Sequence, residues 1–292
     1  MTEPDLVEAV PVAEGVALHV RRWSGAGATP MVLVHGLASN ARLWDGVAAE
    51  LAEHGHPVAA VDLRGHGRSS KPDAGYDVAT VADDLRALLD HLAADGSERP
   101  LLAGQSWGGN VVLELAARHP GLVGAVAGID GGTIELRRRF GSWAECERAL
   151  RPPPLTGMRR TEIERRLRDA HPDWPDGGIE GQLACFEVRE DGTVAPWLTL
   201  DRHLEVLRGL WDHRPSERYT LVQEPVLLVG ADTPDADPVH VAGKRDDLAA
   251  AAAALPRARV EWMTGDHDLH AQHPAAVAAL LADHARTALQ EG

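Results

Sequence analysis

The feature that most constrains this chain is a glycine-flanked serine, Ser106, between a short apolar run and a helix-forming run. The apolar residues 101–103 lead into Gly104-Gln105-Ser106-Trp107-Gly108-Gly109, and an apolar stretch of helical character continues from Val111. A serine at the tip of so tight a turn lies in strained backbone, and small neighbours avoid collision with the adjacent strand and helix. The sequence therefore predicts a strand, a sharp turn and a helix, with the Ser106 hydroxyl raised out of a sheet.

This G-x-S-x-G pattern alone is moderately specific, because the chain has 29 glycines among 292 residues. A chance match is expected in somewhat under about one such chain in ten. The competing interpretation is a glycine-rich turn that carries an idle serine. The strand before Ser106 and the helix after it favour a nucleophile instead.

The composition indicates one large domain, or one domain with a sizeable insertion, since 44% of the 292 residues are hydrophobic. The net charge of −15 argues against nucleic acid and anionic membranes as partners. The acidic start and the lack of any apolar run of about 18 residues predict no signal peptide and no membrane span. Cys146 and Cys185 fit a reduced, cytoplasmic protein. No zinc-type Cys/His spacing or phosphate-binding glycine loop occurs, so we expect neither a metal nor an organic cofactor.

Buried apolar strands alternate with helices along most of the chain. A β-hairpin is predicted over residues 6–23, with its turn at Glu14-Gly15. Besides the strand and helix around Ser106, strands are predicted at 31–34, 58–62, 122–129, 226–230 and 258–263, and helices at 43–54, 78–94, 240–255 and 274–289. Such alternation predicts an α/β fold, with a mostly parallel sheet of about eight strands and helices on both faces.

The pattern changes over residues 133–221, which are rich in arginine, tryptophan and proline and carry no buried-strand signal. Helices are predicted there at 142–150, 158–170, 178–186 and 200–213, and Asp191-Gly192 is typical of a tight turn between short extended pieces. We therefore expect a core formed by residues 1–132 and 222–292, with residues 133–221 inserted as a cap over one end of the sheet.

Chemistry in such folds collects at the carboxyl ends of the strands. The residues at those ends are His35-Gly36-Leu37, Asp62-Leu63-Arg64, Ser106-Trp107, Asp130, Ala231-Asp232 and Gly265-Asp266-His267-Asp268. Serine is a poor nucleophile until a base takes its proton, and a histidine base needs an acid to hold one tautomer. A serine, carboxylates and a histidine in that chain order are the ingredients of nucleophilic acyl transfer.

With these motifs the chain resembles the α/β-hydrolase fold superfamily over nearly its whole length, and in particular its serine-esterase-like branch with a helical cap. The marks are His35-Gly36, Asp62-Leu63-Arg64-Gly65-His66-Gly67-Arg68-Ser69, Gly104–Gly109 and His267 before the last helix. The resemblance implies that Ser106 is the nucleophile and His267 the base. It also implies an oxyanion hole made by the backbone N–H groups of Leu37 and Trp107. The expected function is hydrolysis of a carboxylic ester, lactone or thioester through a Ser106 acyl-enzyme.

Other histidines compete with His267 for the role of base. His270 and His273 are close in sequence, but His267 directly follows the strand end and Gly265, and Pro274 then starts the last helix. His35 is expected to hold the oxyanion loop and His66 to brace its own loop.

The acid that supports His267 stays open between two aspartates. The position usual in the family, in the loop after strand 226–230, is occupied by Thr233; Asp232 is one residue early, and Asp235 and Asp237 come later. The alternative is Asp130, which some members of the superfamily use, and Gly131-Gly132 would let the chain turn sharply behind it. Asp130 is slightly favoured and Asp232 is the alternate.

The pocket and the reaction are less constrained. His35, Trp44, Trp143 and Trp197 are candidates to line the pocket, and Trp211 is a further one. Asp62 is expected to pair with Arg64 or Arg68.

The expected partner is a small-molecule acyl substrate, and the chain is expected to be a monomer or a homodimer. The alternatives are a C–C bond hydrolase, a cofactor-free perhydrolase and a non-catalytic ligand-binding member of the fold. A serine at 106 argues against dehalogenation and epoxide opening, which use an aspartate there.

Overall fold

The computed structural model describes residues 3–94, 96, 99–233 and 237–291. The strands of these residues, numbered in chain order, are β1 Leu6–Ala13, β2 Val16–Trp23, β3 Met31–Val34, β4 Val58–Asp62, β5 Leu101–Gln105, β6 Ala125–Ile129, β7 Phe186–Val188, β8 Val194–Pro196, β9 Val226–Asp232 and β10 Ala258–Thr264. The α-helices are α1 Asp45–Glu53, α2 Val78–Ala93, α3 Trp107–Arg118, α4 Trp143–Leu150, α5 Arg160–Ala170, α6 Asp176–Leu183, α7 Leu200–Asp212, α8 Pro238–Ala254, α9 Leu269–Gln272 and α10 Pro274–Glu291.

Eight of the strands in the described part of the chain form one sheet, in the order β1-β2-β4-β3-β5-β6-β9-β10. The β1–β2 and β2–β4 pairs are antiparallel, and every pair from β4 to β10 is parallel. Helices α2, α3 and α8 cover one face, and α1 and α10 cover the other. Strands buried on both faces have apolar residues at nearly every position, which is why β3 to β6 read as continuous apolar runs. The predicted fold class is confirmed.

Of the predicted boundaries that differ from the structure, two have a clear local cause. The helix predicted from Leu43 is preceded by a 3₁₀ turn, Ala41–Trp44, because the Asn40 side chain accepts a hydrogen bond from Arg42 N at 2.9 Å. The strand predicted from Leu122 begins only at Ala125. Its first residues instead close a turn, in which Leu122 N donates to His119 O at 3.1 Å.

Residues 133–221, called the inserted segment from here on, connect the neighbouring strands β6 and β9. The four helices predicted there are present as α4 to α7, although the helix predicted to reach residue 186 ends at Leu183 and Phe186 begins β7. Strands β7 and β8 form the short extended pieces around Asp191-Gly192. Both ends of the segment are fastened to α3. Asn110 Nδ2 donates to Ile134 O at 2.8 Å, and Glu114 Oε2 accepts from Arg218 Nε at 3.1 Å. Helix α3 is thus bonded to both ends of the inserted segment.

None of the helices in the described ranges combines the length and the apolar composition needed to cross a bilayer.

Gly108 is one of the core positions that leave no room for a side chain. A Cβ at Gly108 would lie 2.5 Å from His35 O and 2.6 Å from Val34 O, both backbone atoms of the buried β3 end. Gly108→Ala is therefore expected to lower the free energy of unfolding by about 3 kcal/mol, because the strand and helix must separate. Urea unfolding followed by circular dichroism measures this.

The matched control is Gly243→Ala on α8, where an added Cβ would meet no atom within 4 Å. That variant is expected to be neutral or more stable by about 0.5–1 kcal/mol, because alanine is the better helix former. Equal destabilisation of the two variants would contradict the packing argument.

Candidate active site

Ser106 stands at the junction of β5 and α3, with φ 51° and ψ −122°. A non-glycine residue in this region stores about 1–3 kcal/mol of strain, and it persists only where the surroundings enforce it. Here Ser106 N donates to Ile129 O at 3.1 Å, and a Cβ at Gly131 would lie only 2.3 Å from Ser106 O. The glycine-rich surroundings therefore hold the serine in its turn, half-buried at the edge of a cavity.

His267 and Asp130 form the shortest polar contact at this edge. His267 follows β10, and its Nδ1 lies 2.6 Å from Asp130 Oδ2. Asp130 directly follows β6 with φ 43°, a left-handed conformation that aspartate tolerates better than most residues. Its side chain is 5% exposed, whereas the His267 side chain is 53% exposed. The carboxylate is thus buried behind a ring that faces the cavity.

The electrostatics of the pair favour a protonated imidazole and an ionised carboxylate. Partial burial lowers the pKa of His267, but its hydrogen bond to Asp130 and the charges of Asp268 and Asp130 outweigh this and raise the pKa above 6.5. Burial raises the pKa of Asp130, but His267 and Lys244 outweigh it and lower the pKa below its ordinary value. An ionised Asp130 makes Nδ1 the protonated ring nitrogen, so Nε2 is left as the acceptor.

The cavity beside this pair has a volume of about 410 Å³, and Ser106, Trp107, Leu37, Asp130 and His267 all lie on its wall. In the described residues no hydrogen bond joins the Ser106 hydroxyl to His267. Trp107 is the first residue of α3, where a backbone N–H has no acceptor within the helix. The structure therefore brings the predicted nucleophile, base and oxyanion residues to one cavity.

Of the two candidate acids, only Asp130 reaches His267. The side chain of Asp232 is 47% exposed and pairs with Arg245 at 3.4 Å, and Asp232 does not line the cavity. Asp237 is also exposed, and Asp235 lies outside the described residues. Thr233, at the position usual for the family's acid, does line the cavity but is no carboxylate.

Three of the other histidines, His270, His35 and His66, are buried, and His273 does not line the cavity. His270 is fully buried against Trp44, with 4.4 Å between ring centroids, and burial lowers its pKa to about 3. His35 Nε2 accepts from Leu63 N at 3.0 Å, and His66 Nε2 accepts from Ala38 N at 3.3 Å. These two rings therefore fasten the loops that flank Leu37.

The predicted pocket residues need correction, because none of the five lines this cavity. His35 and Trp44 are fully buried in the core. Trp143 packs on Trp211 with 6.1 Å between ring centroids, and Trp197 lies against Arg68 and Lys71. The aliphatic residues that line the cavity instead are Leu37, Ile134, Leu136, Leu150, Leu207, Leu210 and Leu248.

The expected pairing of Asp62 with an arginine side chain is also wrong. Arg64 pairs with Asp84, and Asp62 accepts from two backbone amides, Ala41 N at 2.7 Å and Arg68 N at 2.8 Å. Burial raises the pKa of Asp62, but these bonds and His19 outweigh it and lower the pKa to about 2. Asp62 thus stabilises the two loops that contain Ala41 and Arg68.

Two residues at the site were missed from the sequence. Gln105, buried directly before Ser106, donates from Nε2 to His267 O at 3.2 Å and so links the two loops. Lys244 contacts Asp130 from α8. The sequence features that could have pointed to them are the position of Gln105 within the serine motif and the rarity of lysine in this chain.

Among the described residues, no group of three or more His, Cys, Asp or Glu is arranged to hold a metal ion.

Comparison with known proteins gives the class. The model of a family described as alpha/beta hydrolase fold matches residues 29–171. The 2-(acetamidomethylene)succinate hydrolase of Mesorhizobium japonicum is 30% identical over 221 residues, which cover 73% of each chain. The solved structure of E-2-(acetamidomethylene)succinate hydrolase superposes with a TM-score of 0.75 at 23% identity, covering 96% of this chain and 98% of that one. This chain belongs to the α/β-hydrolase superfamily.

Other curated relatives match over a smaller part of the chain. The non-heme chloroperoxidase of Streptomyces lividans is 36% identical over 115 residues, which cover 39% of this chain and 41% of that protein. Several others are matched over only 33% to 42% of their own length.

Proposed function

We propose that this protein is a serine hydrolase that cleaves a carboxylic ester, lactone or thioester through an acyl-enzyme on Ser106. The observation that carries the proposal is the 2.6 Å contact of His267 Nδ1 with the buried Asp130, on the wall of the cavity that Ser106 shares. A histidine held in one tautomer beside a strained serine is the arrangement that activates a hydroxyl nucleophile.

In the proposed mechanism, Ser106 Oγ attacks the acyl carbon while His267 Nε2 takes the hydroxyl proton. Asp130 keeps the proton on Nδ1 and stabilises the imidazolium that forms. The backbone N–H groups of Leu37 and Trp107 bind the developing oxyanion, each worth about 3 kcal/mol of barrier. His267 then protonates the leaving group, and water activated by the same histidine releases the acid.

The inserted segment supports a role in substrate selection. It contributes Ile134, Leu136, Leu150, Leu207 and Leu210 to the cavity opposite Ser106. An aliphatic wall favours an apolar acyl or alcohol group, because burying each methylene is worth about 0.8 kcal/mol. We therefore propose that residues 133–221 act as a cap over a core of residues 1–132 and 222–292, and that a small-molecule acyl compound is the substrate.

A substrate panel tests the reaction class. It contains p-nitrophenyl esters of increasing chain length, a thioester, a lactone, a 1,3-diketone, 2-(acetamidomethylene)succinate, and acetate with hydrogen peroxide. The succinate derivative is the compound in the name of one relative, and acetate with hydrogen peroxide tests the perhydrolase alternative. We expect the highest kcat/KM on esters or thioesters. Faster cleavage of the diketone, faster peracid formation, or no turnover of any compound would reject the proposal.

The pH dependence of kcat/KM is a further prediction. Because His267 must be neutral to accept the serine proton and its pKa is raised above 6.5, activity should be lost as the pH falls through a midpoint above 6.5. Initial rates with a non-ionising ester in overlapping buffers measure the midpoint. A midpoint below 6.5 would contradict the assigned environment of the base.

A further inference from the structure

Lys244 makes three short contacts behind the site. Its Nζ lies 2.9 Å from Asp130 Oδ1, 3.0 Å from Asp130 Oδ2 and 3.0 Å from Ala231 O. The Lys244 side chain is only 15% exposed. The ammonium group therefore joins the carboxylate at the end of β6 to the backbone at the end of β9, within the cavity wall.

The choice of lysine suits this place. The chain has 29 lysines and arginines, and Lys71 and Lys244 are its only lysines. An ammonium group is a compact charge with three rotatable donors, and it can meet three acceptors that converge on one point. A guanidinium is a planar fork and cannot reproduce that geometry.

The Asp130 carboxylate is held from several sides. Ala231 N donates to Oδ1 at 2.9 Å, Lys244 bonds both oxygens, and His267 contacts Oδ2. Rotation of the carboxylate away from His267 would break the bonds to Ala231 and Lys244 together. The charge of Lys244 also lowers the pKa of Asp130 and so keeps it ionised.

We propose that Lys244 is a positioning residue that fixes the Asp130 carboxylate against His267 and thereby holds His267 in its working tautomer. This inference rests on the proposed function for its catalytic consequence, but its structural part concerns the contact between Asp130 and His267. Lys244 acts through Asp130 and takes no part in bond making.

The first test is spectroscopic and needs no turnover. A short hydrogen bond from imidazole Nδ1 to a carboxylate gives a low-field proton resonance, which His267→Asn assigns by its disappearance. We expect the resonance in the wild type and its loss or strong weakening in Lys244→Met. The matched control is Arg245→Met, which removes the neighbouring cation that pairs with Asp232 and is 51% exposed, and it should keep the resonance.

The second test is kinetic. Partners that orient a functional histidine are worth about 10- to 100-fold, as known for metal-binding histidines, so kcat of Lys244→Met should fall by that factor while KM stays within about two-fold. Lys244→Arg keeps the charge and guards against a variant that fails to fold; it should retain the resonance at reduced intensity and an intermediate kcat. In the Asp130→Asn background, Lys244→Met should cause no further loss.

The outcomes separate the two proposals. A resonance and kcat unchanged in Lys244→Met, or an equal loss of kcat in the Asp130→Asn background, would overturn the role of Lys244. A wild type that shows the Lys244-dependent resonance but hydrolyses no ester, lactone or thioester would instead reject the proposed function and leave the positioning of Asp130 standing.

Discussion

Replacing Ser106 with alanine is expected to lower kcat for ester hydrolysis by about 10⁴-fold or more. Alanine removes the hydroxyl that would form the acyl-enzyme, but the oxyanion donors and the cavity stay in place. It also adopts the strained φ of 51° no worse than serine does, so the fold should persist. Steady-state kinetics on a p-nitrophenyl ester and the thermal midpoint of unfolding measure the two effects.

A matched serine serves as control. The Ser142 hydroxyl accepts from Glu145 N at 3.3 Å at the start of α4 and lies outside the cavity. Ser142→Ala should cost about 1 kcal/mol of stability, the usual value of a helix cap, and leave kcat unchanged. If Ser106→Ala kept more than about a hundredth of wild-type turnover, Ser106 would not be the nucleophile.

Asp130→Asn is expected to lower kcat by about 10³- to 10⁴-fold. An asparagine would present an amide to His267 Nδ1 in place of a charged acceptor, which disfavours the working tautomer and the imidazolium. It would also leave Lys244 without its charged partner in the cavity wall. Single-turnover acylation rates of Asp130→Asn and the wild type measure the effect on the chemical step.

Asp232→Asn is the control for this prediction, because Asp232 is the acid that the sequence offered as an alternate. It is exposed and paired with Arg245, so its kcat should stay within about two-fold of the wild type. A near-normal Asp130→Asn beside an inactive Asp232→Asn would reverse the assignment of the acid.

Local patterns predicted much of the fold and the site. The strand, turn and helix around Ser106 depend on neighbouring residues, and the glycines are required by contacts within a few residues and by the adjacent strand. The loop of His267 follows an apolar strand and precedes a proline-started helix, which are also local signals. The inserted segment was recognisable because its composition changes.

The choice of acid could not be made from local patterns. Strands β6 and β9 are parallel neighbours with Ile129 opposite Val229, so Asp130 and Asp232 both follow the same edge of the sheet. Which carboxylate turns toward His267 depends on the left-handed backbone at Asp130 and on the contact from Lys244, which comes from a distant helix. Neither the backbone conformation of Asp130 nor the Lys244 contact can be predicted from sequence spacing.

The pocket was predicted wrongly for a related reason. Tryptophans are as suited to packing as to binding, and here Trp44 is fully buried in the core while Trp143 packs on Trp211. The leucines that line the cavity come from several helices whose relative placement the sequence does not specify. The spacing of Leu207 and Leu210 on α7 indicates a helix but not the cavity that they line.

Covalent labelling with a fluorophosphonate probe tests the central claim most directly, because it needs no knowledge of the natural substrate. The account predicts that the wild type is labelled on the peptide that contains Ser106, that Asp130→Asn is labelled more slowly, and that Ser106→Ala is not labelled. A folded wild type that resists the probe, or one that carries the label on another residue, would contradict the assignment of Ser106 as an activated nucleophile.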